Sequence, residues 1–409
     1  MSSAIRAVRE DDWPRAARLA RPAGEAGQAV VEWYRLRDGD GAFADYRAFL
    51  AAHGDWPGLA YLQMQGEGAI PRGARPEHVL AYFDGRLPRT SAGLLRLVEA
   101  HEALNHSGDA EALVVLAWRS LPLSAAAESA LRGRYADLLA PHHTARLDEM
   151  LWQGEHAAAR RMLPLVPEGW RALAEARIAL DRRAPGVDTL IERVPGPLAE
   201  HPGLAYERFN WRVRNGRHDD AIALLAASST TPEALGRPDK WANWRRIYAR
   251  RLMREGAAEA AYALASRHFL LEGSDFADLE WLSGFLALRF LQDPELALFH
   301  FDRFATAVET PISLARAGYW QGRARAALGD ASGAEAAYRR AAQWQTAYYG
   351  LLAAEAADLP IDPALSDDET FPDIAETPLA RSRVLEAALL LLEAGEPWRT
   401  EQFLAHLVE

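Results

Sequence analysis

The chain has 409 residues, 49% of them apolar, which is enough to bury a substantial core and excludes disorder as a description of the whole. Its formal net charge of −11 repels a phosphate backbone on average, so we expect no nucleic-acid partner. Because cysteine is absent, disulfides, thiolate catalysis and cysteine-ligated metals are excluded.

The sequence contains no segment typical of membrane insertion or export. No window has the roughly 18 to 20 apolar residues that a helical membrane span needs, so we predict no transmembrane segment. Residues 1 to 4, Met-Ser-Ser-Ala, do not begin a signal peptide. An exported protein that lacks its leader would look the same, so the compartment stays open on this observation.

From the N-terminus onwards, stretches rich in Ala, Leu, Arg and Glu alternate with isolated Gly and Pro, a pattern typical of helices separated by turns. A turn glycine recurs with a small residue five positions later and a packing residue nine positions later. The copies are Gly154, Ala159 and Leu163; Gly216, Ala221 and Leu225; Gly256, Ala261 and Ala265; Gly329, Ala334 and Tyr338; and, more weakly, Gly39, Ala44 and Ala48. Glycine ends the first helix and the small residue lets the second approach closely, so each copy predicts one helix pair. The irregular intervals suggest that some pairs lack the glycine.

The last copy matches the tetratricopeptide consensus, which has about 34 residues per helix pair. Its matching residues are Gly322, Gly329, Ala334, Tyr338 and Ala341. An array of such pairs can grow without the size limit of a single core. We therefore predict an all-α fold, a superhelix (α-solenoid) of irregular tetratricopeptide-like helix pairs that curves unevenly.

The amino-acid composition along the chain predicts three segments. Residues 1–359 form the predicted superhelical domain, and residues 360–378 carry acidic side chains without a basic one, which predicts an exposed connector. Residues 379–409 start a further helical domain. Because no capping glycine or polar tail follows its last amphipathic helix, we expect the natural chain to continue.

A dense group of arginines lies between residues 245 and 254. It comprises Arg245, Arg246, Arg250, Arg251 and Arg254. Their helical spacing beside Glu255 and Glu259 predicts a solvated helix face rather than a binding patch.

Motifs for metal or phosphate chemistry are not convincing. In His101–His106 (HEALNH) the histidines are five apart, and on one α-helix they would diverge by about 140°, so we predict no metal site there. The adjacent His142 and His143 diverge likewise. Lys240 is the only lysine and lies in no phosphate-binding loop. We expect no cofactor and no metal.

The 13 tryptophans have two interpretations. Trp241, Trp244, Trp281, Trp320 and Trp344 could line a concave glycan-binding surface, because aromatic rings stack on sugars. Core packing between helices is the alternative, and we favour it for Trp320 and Trp344, which lie in the last repeat copy.

Residues 311–359 resemble the closing repeats of the superhelical region of large soluble lytic transglycosylases, which cleave peptidoglycan. The first distinctive run contains Ala317, Tyr319, Trp320, Gly322, Arg323 and Ala324, and the second contains Tyr348, Tyr349, Gly350, Leu352 and Ala353. The resemblance implies a curved or ring-forming superhelix in the periplasm, with residues 378–409 beginning a linker domain. It also implies peptidoglycan strands, and other cell-wall proteins, as partners.

The chain departs from this family in lacking the catalytic motifs, an E-S-x-F run followed by G-L-M-Q. Glu128 and Ser129 are followed by Ala130 and Leu131, so catalysis is not carried over to Glu128. We therefore predict a non-catalytic scaffold that positions murein strands for a catalytic domain absent from this chain, and no activity of the chain alone. The alternative is a free-standing tetratricopeptide-like protein that binds a peptide or protein partner.

The Tyr348, Tyr349 and Gly350 run predicts close packing at the start of a new helix layer. Glycine costs about 1 kcal/mol relative to alanine inside a helix, so Gly350 suggests that a neighbouring backbone approaches. We predict that at least one tyrosine ring is substantially buried against residues 313–328 or 378–392, with its hydroxyl hydrogen-bonded, rather than stacked on a glycan. Gly350→Leu should destabilise this end of the array by roughly 1 to 3 kcal/mol.

Overall fold

The computed structural model describes residues 1–365 and 372–408, and in these ranges the chain is helical with no strand. This confirms the all-α prediction. Consecutive helices pack against one another, which is compatible with a helical solenoid. Of the predicted acidic connector, Asp367, Asp368 and Glu369 lie outside the described residues. The described acidic residues Asp362, Asp373 and Glu376 are exposed.

The first helices are α1 (Ser2–Arg9), α2 (Trp13–Ala20), α3 (Gly24–Asp38), α4 (Phe43–Ala52), α5 (Leu59–Gly68), α6 (Pro76–Phe83), α7 (Ser91–Ala103), α8 (Ser107–Ser120), α9 (Ala125–Arg134), α10 (Ala136–Leu139), α11 (His143–Trp152) and α12 (His156–Met162). The next are α13 (Glu168–Asp181), α14 (Val187–Glu192), α15 (Gly196–Ala199), α16 (Pro202–Arg214), α17 (His218–Ser228), α18 (Pro232–Leu235), α19 (Pro238–Arg254), α20 (Ala258–Ser266), α21 (Gly273–Leu286), α22 (Pro294–Ala305), α23 (Pro311–Ala327), α24 (Ala331–Ala341) and α25 (Tyr348–Ala356). The last are α26 (Arg383–Glu393) and α27 (Pro397–His406). Short 3-10 turns lie at Arg21–Ala23, Ala140–His142, Leu163–Leu165, Ala342–Trp344, Pro363–Leu365, Ile374–Glu376 and Pro378–Arg381, and a π-helical turn lies at Ala287–Leu291.

The chain divides into two compact units. Unit 1 comprises Met1–Leu165 together with Phe371–Glu409, and unit 2 comprises Val166–Thr370. Both ends of the chain therefore belong to unit 1. Unit 2 contains α13 to α25, including the helices that carry the family resemblance.

The predicted glycine hairpins are present. Gly154, Gly216, Gly256 and Gly329 all have positive φ between two packed helices. The residue after each glycine donates a backbone hydrogen bond to a carbonyl five positions earlier, as from Asp330 N to Arg325 O at 3.0 Å. The small residue five positions after each glycine is buried; these residues are Ala159, Ala221, Ala261 and Ala334.

The same turn also occurs without glycine. Asp11, Asn105 and Gln292 occupy the left-handed region, and each lies five positions before a buried alanine. Those alanines are Ala16, Ala110 and Ala297. The expectation that some pairs lack the glycine is therefore confirmed.

For the weak copy at Gly39, the predicted buried positions are wrong. Gly39 does end α3 in the left-handed conformation, but Ala44 and Ala48 are exposed. Phe43, Tyr46 and Phe49 face the core instead. The reason is that α4 begins further from the glycine than the second helix of the other pairs, so the buried positions shift.

In unit 1, the C-terminal hairpin packs on the N-terminal helices. Phe403 of α27 is fully buried between Trp33 and Trp56, with ring centroids 5.2 and 5.3 Å away. At the edge of this contact the Arg9 guanidinium pairs with the Glu396 carboxylate. Residues far apart in sequence thus share one core.

Among the described residues, no helix combines the length and the apolar character that crossing a bilayer requires.

Candidate functional site

The best candidate surface lies on α23. Arg316 and Arg323 are seven residues apart, so they project from the same side of the helix about two turns, or roughly 10 Å, apart. Between them lies Tyr319, whose hydroxyl accepts a hydrogen bond from Arg323 at 2.9 Å. We call Trp281, Arg316, Tyr319, Arg323 and Tyr349 the α23 cluster.

Arginines and rings of the α23 cluster are in direct contact. The Arg316 guanidinium carbon lies 3.6 Å from the ring centroid of Trp281. The Arg323 guanidinium carbon lies 5.8 Å from the Tyr319 centroid. Such cation–π contacts hold both arginines at the surface of the rings. Neither arginine forms a salt bridge to a described carboxylate, so their charges are not neutralised at close range.

Burial lowers the pKa of Arg316, and the nearby Tyr349 and Asp278 side chains partly offset this effect. Three donors in or beside the cluster have no hydrogen-bond partner, although solvent does not reach them. They are the Nε atom of Arg316 and the indole Nε1 atoms of Trp281 and Trp320. An unsatisfied buried donor costs about 1 to 3 kcal/mol, so an oxygen acceptor that reached one of these atoms would recover part of that cost.

Small residues explain how these aromatic side chains pack beneath α23. A Cβ atom at Gly322 would overlap the ring of Tyr338, and one at Gly318 would lie 2.9 Å from the Cβ of Ala341. Glycine at these positions therefore lets α24 approach α23 closely. This contact buries Trp320 and fixes the helix that carries both arginines.

The structure separates the two tyrosines of the YYG run. Tyr349 is partly buried against the rings of Tyr319 and Trp320, with centroids 5.5 and 6.3 Å away. The substantial burial predicted for one ring of the pair is therefore confirmed only in part, and the hydrogen bond of its hydroxyl stays a prediction. Tyr348 is 70% exposed and contacts Tyr349 edge-on. A Cβ atom at Gly350 would overlap the carbonyl oxygen of Trp344, which explains the glycine.

The other candidate tryptophans differ in accessibility. Trp241 is fully buried and donates to the carbonyl of Leu235 at 3.1 Å, so its ring has no free face. Trp244 is partly buried and stacked on Tyr248, and Trp344 is also partly buried. Of the predicted set, the structure brings together Trp281, Trp320, Tyr348 and Tyr349 around α23.

Sequence reasoning missed Arg316 and Arg323 as members of this site. Their seven-residue spacing on either side of the Tyr319–Trp320 pair was the available signal.

The prediction of a solvated helix face is wrong at Arg245, because this residue is fully buried. Arg245 donates to Leu264 O at 2.6 Å and Ser229 Oγ at 2.7 Å, which offsets part of the cost of its burial, and burial lowers the pKa of Arg245 to about 10.

Glu128 is held as a carboxylate. It is buried and receives hydrogen bonds from Arg146 and Arg161, each at 2.5 Å. Burial raises the pKa of Glu128, but the two guanidinium groups outweigh this effect and lower it overall. A carboxylate in this state does not donate a proton to a glycosidic oxygen.

Glu280 belongs to a buried network that sequence reasoning did not find. His268 accepts from Leu270 N through Nδ1, so its Nε2 donates to Glu280 at 2.9 Å. His300 lies between the Tyr262 hydroxyl and Glu280, with Nδ1 2.7 Å from the carboxylate. Burial alone would raise the pKa of Glu280, but the histidine hydrogen bonds lower it to about 2. The network links α20, α21 and α22.

Glu207 has the opposite electrostatic character. Burial raises the pKa of Glu207 to about 7, and the nearby Arg177 only partly offsets this effect. Its side chain lies in the contact between α13 and α16. A raised pKa suits a general acid, but a group enclosed in a helix contact cannot reach a polymeric substrate.

The reason for rejecting a metal site at His101 and His106 is wrong. The predicted divergence assumed one continuous helix, whereas α7 ends at Ala103 and Asn105 turns the chain in the left-handed conformation. His106 is the N-cap residue of α8, and ligand atoms of His101, His106 and Asp109 lie within 4.8 Å of one another.

No family model matches the chain, and no curated protein matches it significantly.

Proposed function

We propose that the chain is the non-catalytic scaffold region of a periplasmic peptidoglycan lytic transglycosylase and that the α23 cluster binds murein strands. The observation that carries the proposal is that two α23 arginines without a carboxylate partner lie beside aromatic rings from α21, α23 and α25. The resemblance of residues 311–359 to this family supports the same interpretation, because it falls on the helices that build the cluster.

The chemistry of murein matches this surface. Sugar rings present apolar faces to aromatic side chains, and their hydroxyl oxygens accept hydrogen bonds from indole and guanidinium donors. The lactyl and peptide carboxylates of murein are anionic, and arginine binds carboxylates through charge-assisted hydrogen bonds. In a chain with a net charge of −11, two unpaired arginines beside aromatic rings provide a local exception that favours an anionic ligand.

The proposed role is binding and positioning, not bond cleavage. Glu128 and Glu280 both have lowered pKa values, and Glu207 is enclosed between helices. In the family that the chain resembles, catalysis belongs to a separate domain. We therefore assign to this chain the task of holding glycan strands.

Binding can be tested by co-sedimentation of the purified chain with murein sacculi. We expect the Arg316→Gln, Arg323→Gln double variant to bind about tenfold more weakly or worse, because hydrogen bonds to charged groups contribute about 1.5 to 3 kcal/mol each. The Arg339→Gln, Arg340→Gln double variant is the charge-matched control, since both arginines are exposed on the neighbouring α24. Unchanged binding of the Arg316→Gln, Arg323→Gln variant, or an equal loss of binding in the control, would refute a specific site. Failure of the folded wild-type chain to bind sacculi would favour a peptide or protein partner instead.

Activity is tested on the same sacculi. We expect the chain to release no anhydromuropeptides between pH 5 and 8, measured by chromatography of the soluble fraction. Release of such products, abolished by Glu128→Gln, would show that the scaffold interpretation is wrong.

A further inference from the structure

We propose that His101, His106 and Asp109 form a binding site for a divalent transition metal of the zinc type. The turn between α7 and α8 creates the site. Because Asn105 adopts a left-handed conformation with φ of 59°, the chain reverses direction between the two histidines. His106 then precedes α8 and Asp109 lies in its first turn, so both face the last turn of α7.

The distances are close to those of a coordination sphere. One ligand atom from each residue lies within 4.8 Å of the others, and His101 Nδ1 is 3.9 Å from an Asp109 carboxylate oxygen. Zinc bonds of about 2.0 to 2.2 Å in a tetrahedron place ligand atoms roughly 3.3 to 3.6 Å apart. The remaining contraction of about 1 Å is within the reach of χ rotations, since His106 is exposed and the Asp109 side chain is 70% exposed.

The three side chains are not engaged elsewhere in the described part of the chain. His101 Nδ1 is inaccessible to solvent and has no hydrogen-bond partner. The His106 side chain makes no capping hydrogen bond to α8. Among the described residues, the basic side chain within 4.0 Å of the Asp109 carboxylate is that of His101 itself. A metal would therefore satisfy an orphaned nitrogen without breaking an existing interaction.

The ligand set selects the class of metal. Two imidazoles and one carboxylate suit Zn²⁺, Co²⁺, Ni²⁺ or Cu²⁺, whereas Mg²⁺ and Ca²⁺ prefer oxygen ligands only. Three protein ligands leave a fourth position open to solvent at Asp109, where water or a donor from another molecule can bind. Because all three ligands lie in α7, α8 and their connecting turn, the metal would hold this helix pair together where the turn lacks a glycine.

The test is isothermal titration of ZnCl₂ into the full chain, prepared without a polyhistidine tag and freed of metal with a chelator. We expect one saturable site, and we expect His106→Ala and Asp109→Asn each to lower its affinity by more than about tenfold. His78→Ala on α6 is the matched control and should bind like the wild type. MgCl₂ should give no saturable binding.

Thermal unfolding provides a second readout. Zn²⁺ should raise the melting temperature of the wild type and of His78→Ala, because a ligand that binds only the folded state stabilises it. It should not raise that of His106→Ala, whose melting temperature in chelator should equal that of the wild type, since the side chain is exposed. The proposal is overturned if the wild type shows no saturable zinc binding, if the two ligand variants bind as well as the wild type, or if His78→Ala loses binding equally.

Discussion

Ionisable side chains in the interior of this protein fall into two groups according to their partners. Glu128 and Glu280 receive hydrogen bonds from cationic or imidazole groups, which stabilise the carboxylate form. Glu207 is also buried, but the nearby Arg177 only partly offsets the effect of burial, so the pKa of Glu207 rises to about 7. The two groups should therefore contribute to the free energy of unfolding in opposite directions as pH changes.

Glu207 gives a testable pH dependence. Its pKa is raised from 4.5 to about 7 on folding, so the folded state binds more protons than the unfolded state between these values. Its contribution to stability is fully present below pH 4.5 and is lost as pH rises through 7, with a total of about 3 kcal/mol at most. Glu207→Gln should consequently stabilise the protein more at pH 8 than at pH 5, measured by urea unfolding at both values.

The matched control for this prediction is Glu192→Gln, on an exposed position of α14. It should change the free energy of unfolding little, and equally at pH 5 and pH 8. If the effect of Glu207→Gln were the same at both pH values, or larger at pH 5, the raised pKa would be refuted.

Gly350 gives a packing test. A Cβ atom at this position would overlap the carbonyl oxygen of Trp344, and backbone cannot move aside as a flexible side chain can. Gly350→Ala should therefore lower the free energy of unfolding by about 1 to 3 kcal/mol, although alanine is the better helix former. Gly133→Ala in α9, where a Cβ atom meets nothing, should be neutral or stabilising by up to about 1 kcal/mol. Equal effects of the two changes in chemical denaturation would contradict the overlap.

At the scale of helix pairs, the turn motif explains both the success and the failure of prediction from sequence. The turns at Gly154, Gly216 and Gly256 could be predicted because glycine adopts positive φ without a steric cost. The turn at Asn105 could not be predicted, since asparagine adopts the same left-handed conformation but also occurs in many other contexts. This single missed turn also hid the convergence of His101 and His106. The left-handed turn at Gln292 could not be predicted from the sequence either.

Gln292 is the least suited of these turn residues. It has φ of 55°, a conformation that costs a residue with a Cβ atom about 1 to 2 kcal/mol. Gln292→Gly should therefore raise the free energy of unfolding by about 1 kcal/mol, less than the full relief because glycine also loses more backbone entropy on folding. Thermal and urea unfolding of the full chain would measure the gain. Gln343→Gly, in the exposed part of the helical turn Ala342–Trp344, should instead destabilise. Destabilisation by Gln292→Gly would contradict the strained turn.

At the scale of the whole molecule, local patterns predicted helix pairs but not which distant segments share a core. The periodicity around Phe403 indicates an amphipathic helix, and Trp33 and Trp56 lie in ordinary apolar positions. Nothing local indicates that these three rings meet. The buried Glu280 network is similar, because its side chains come from α20, the segment that follows it, α21 and α22, and its hydrogen bonds depend on how these elements pack. The α23 site was partly predictable because its arginines and tyrosine lie within one helix.

The contact between the chain ends provides the final prediction. Phe403 is fully buried between Trp33 and Trp56, so removing its ring leaves a cavity beside two large aromatic side chains. Phe403→Ala should lower the free energy of unfolding of unit 1 by about 3 to 5 kcal/mol. Hydrogen exchange in α3 should accelerate as well, because this helix loses part of its packing. Leu404→Ala is the control, since the neighbouring Leu404 is 41% exposed and should cost far less. Protection of α3 that is unchanged in Phe403→Ala would mean that the N-terminal helices are stable without the C-terminal hairpin, and that the contact of the chain ends does not contribute to the stability of unit 1.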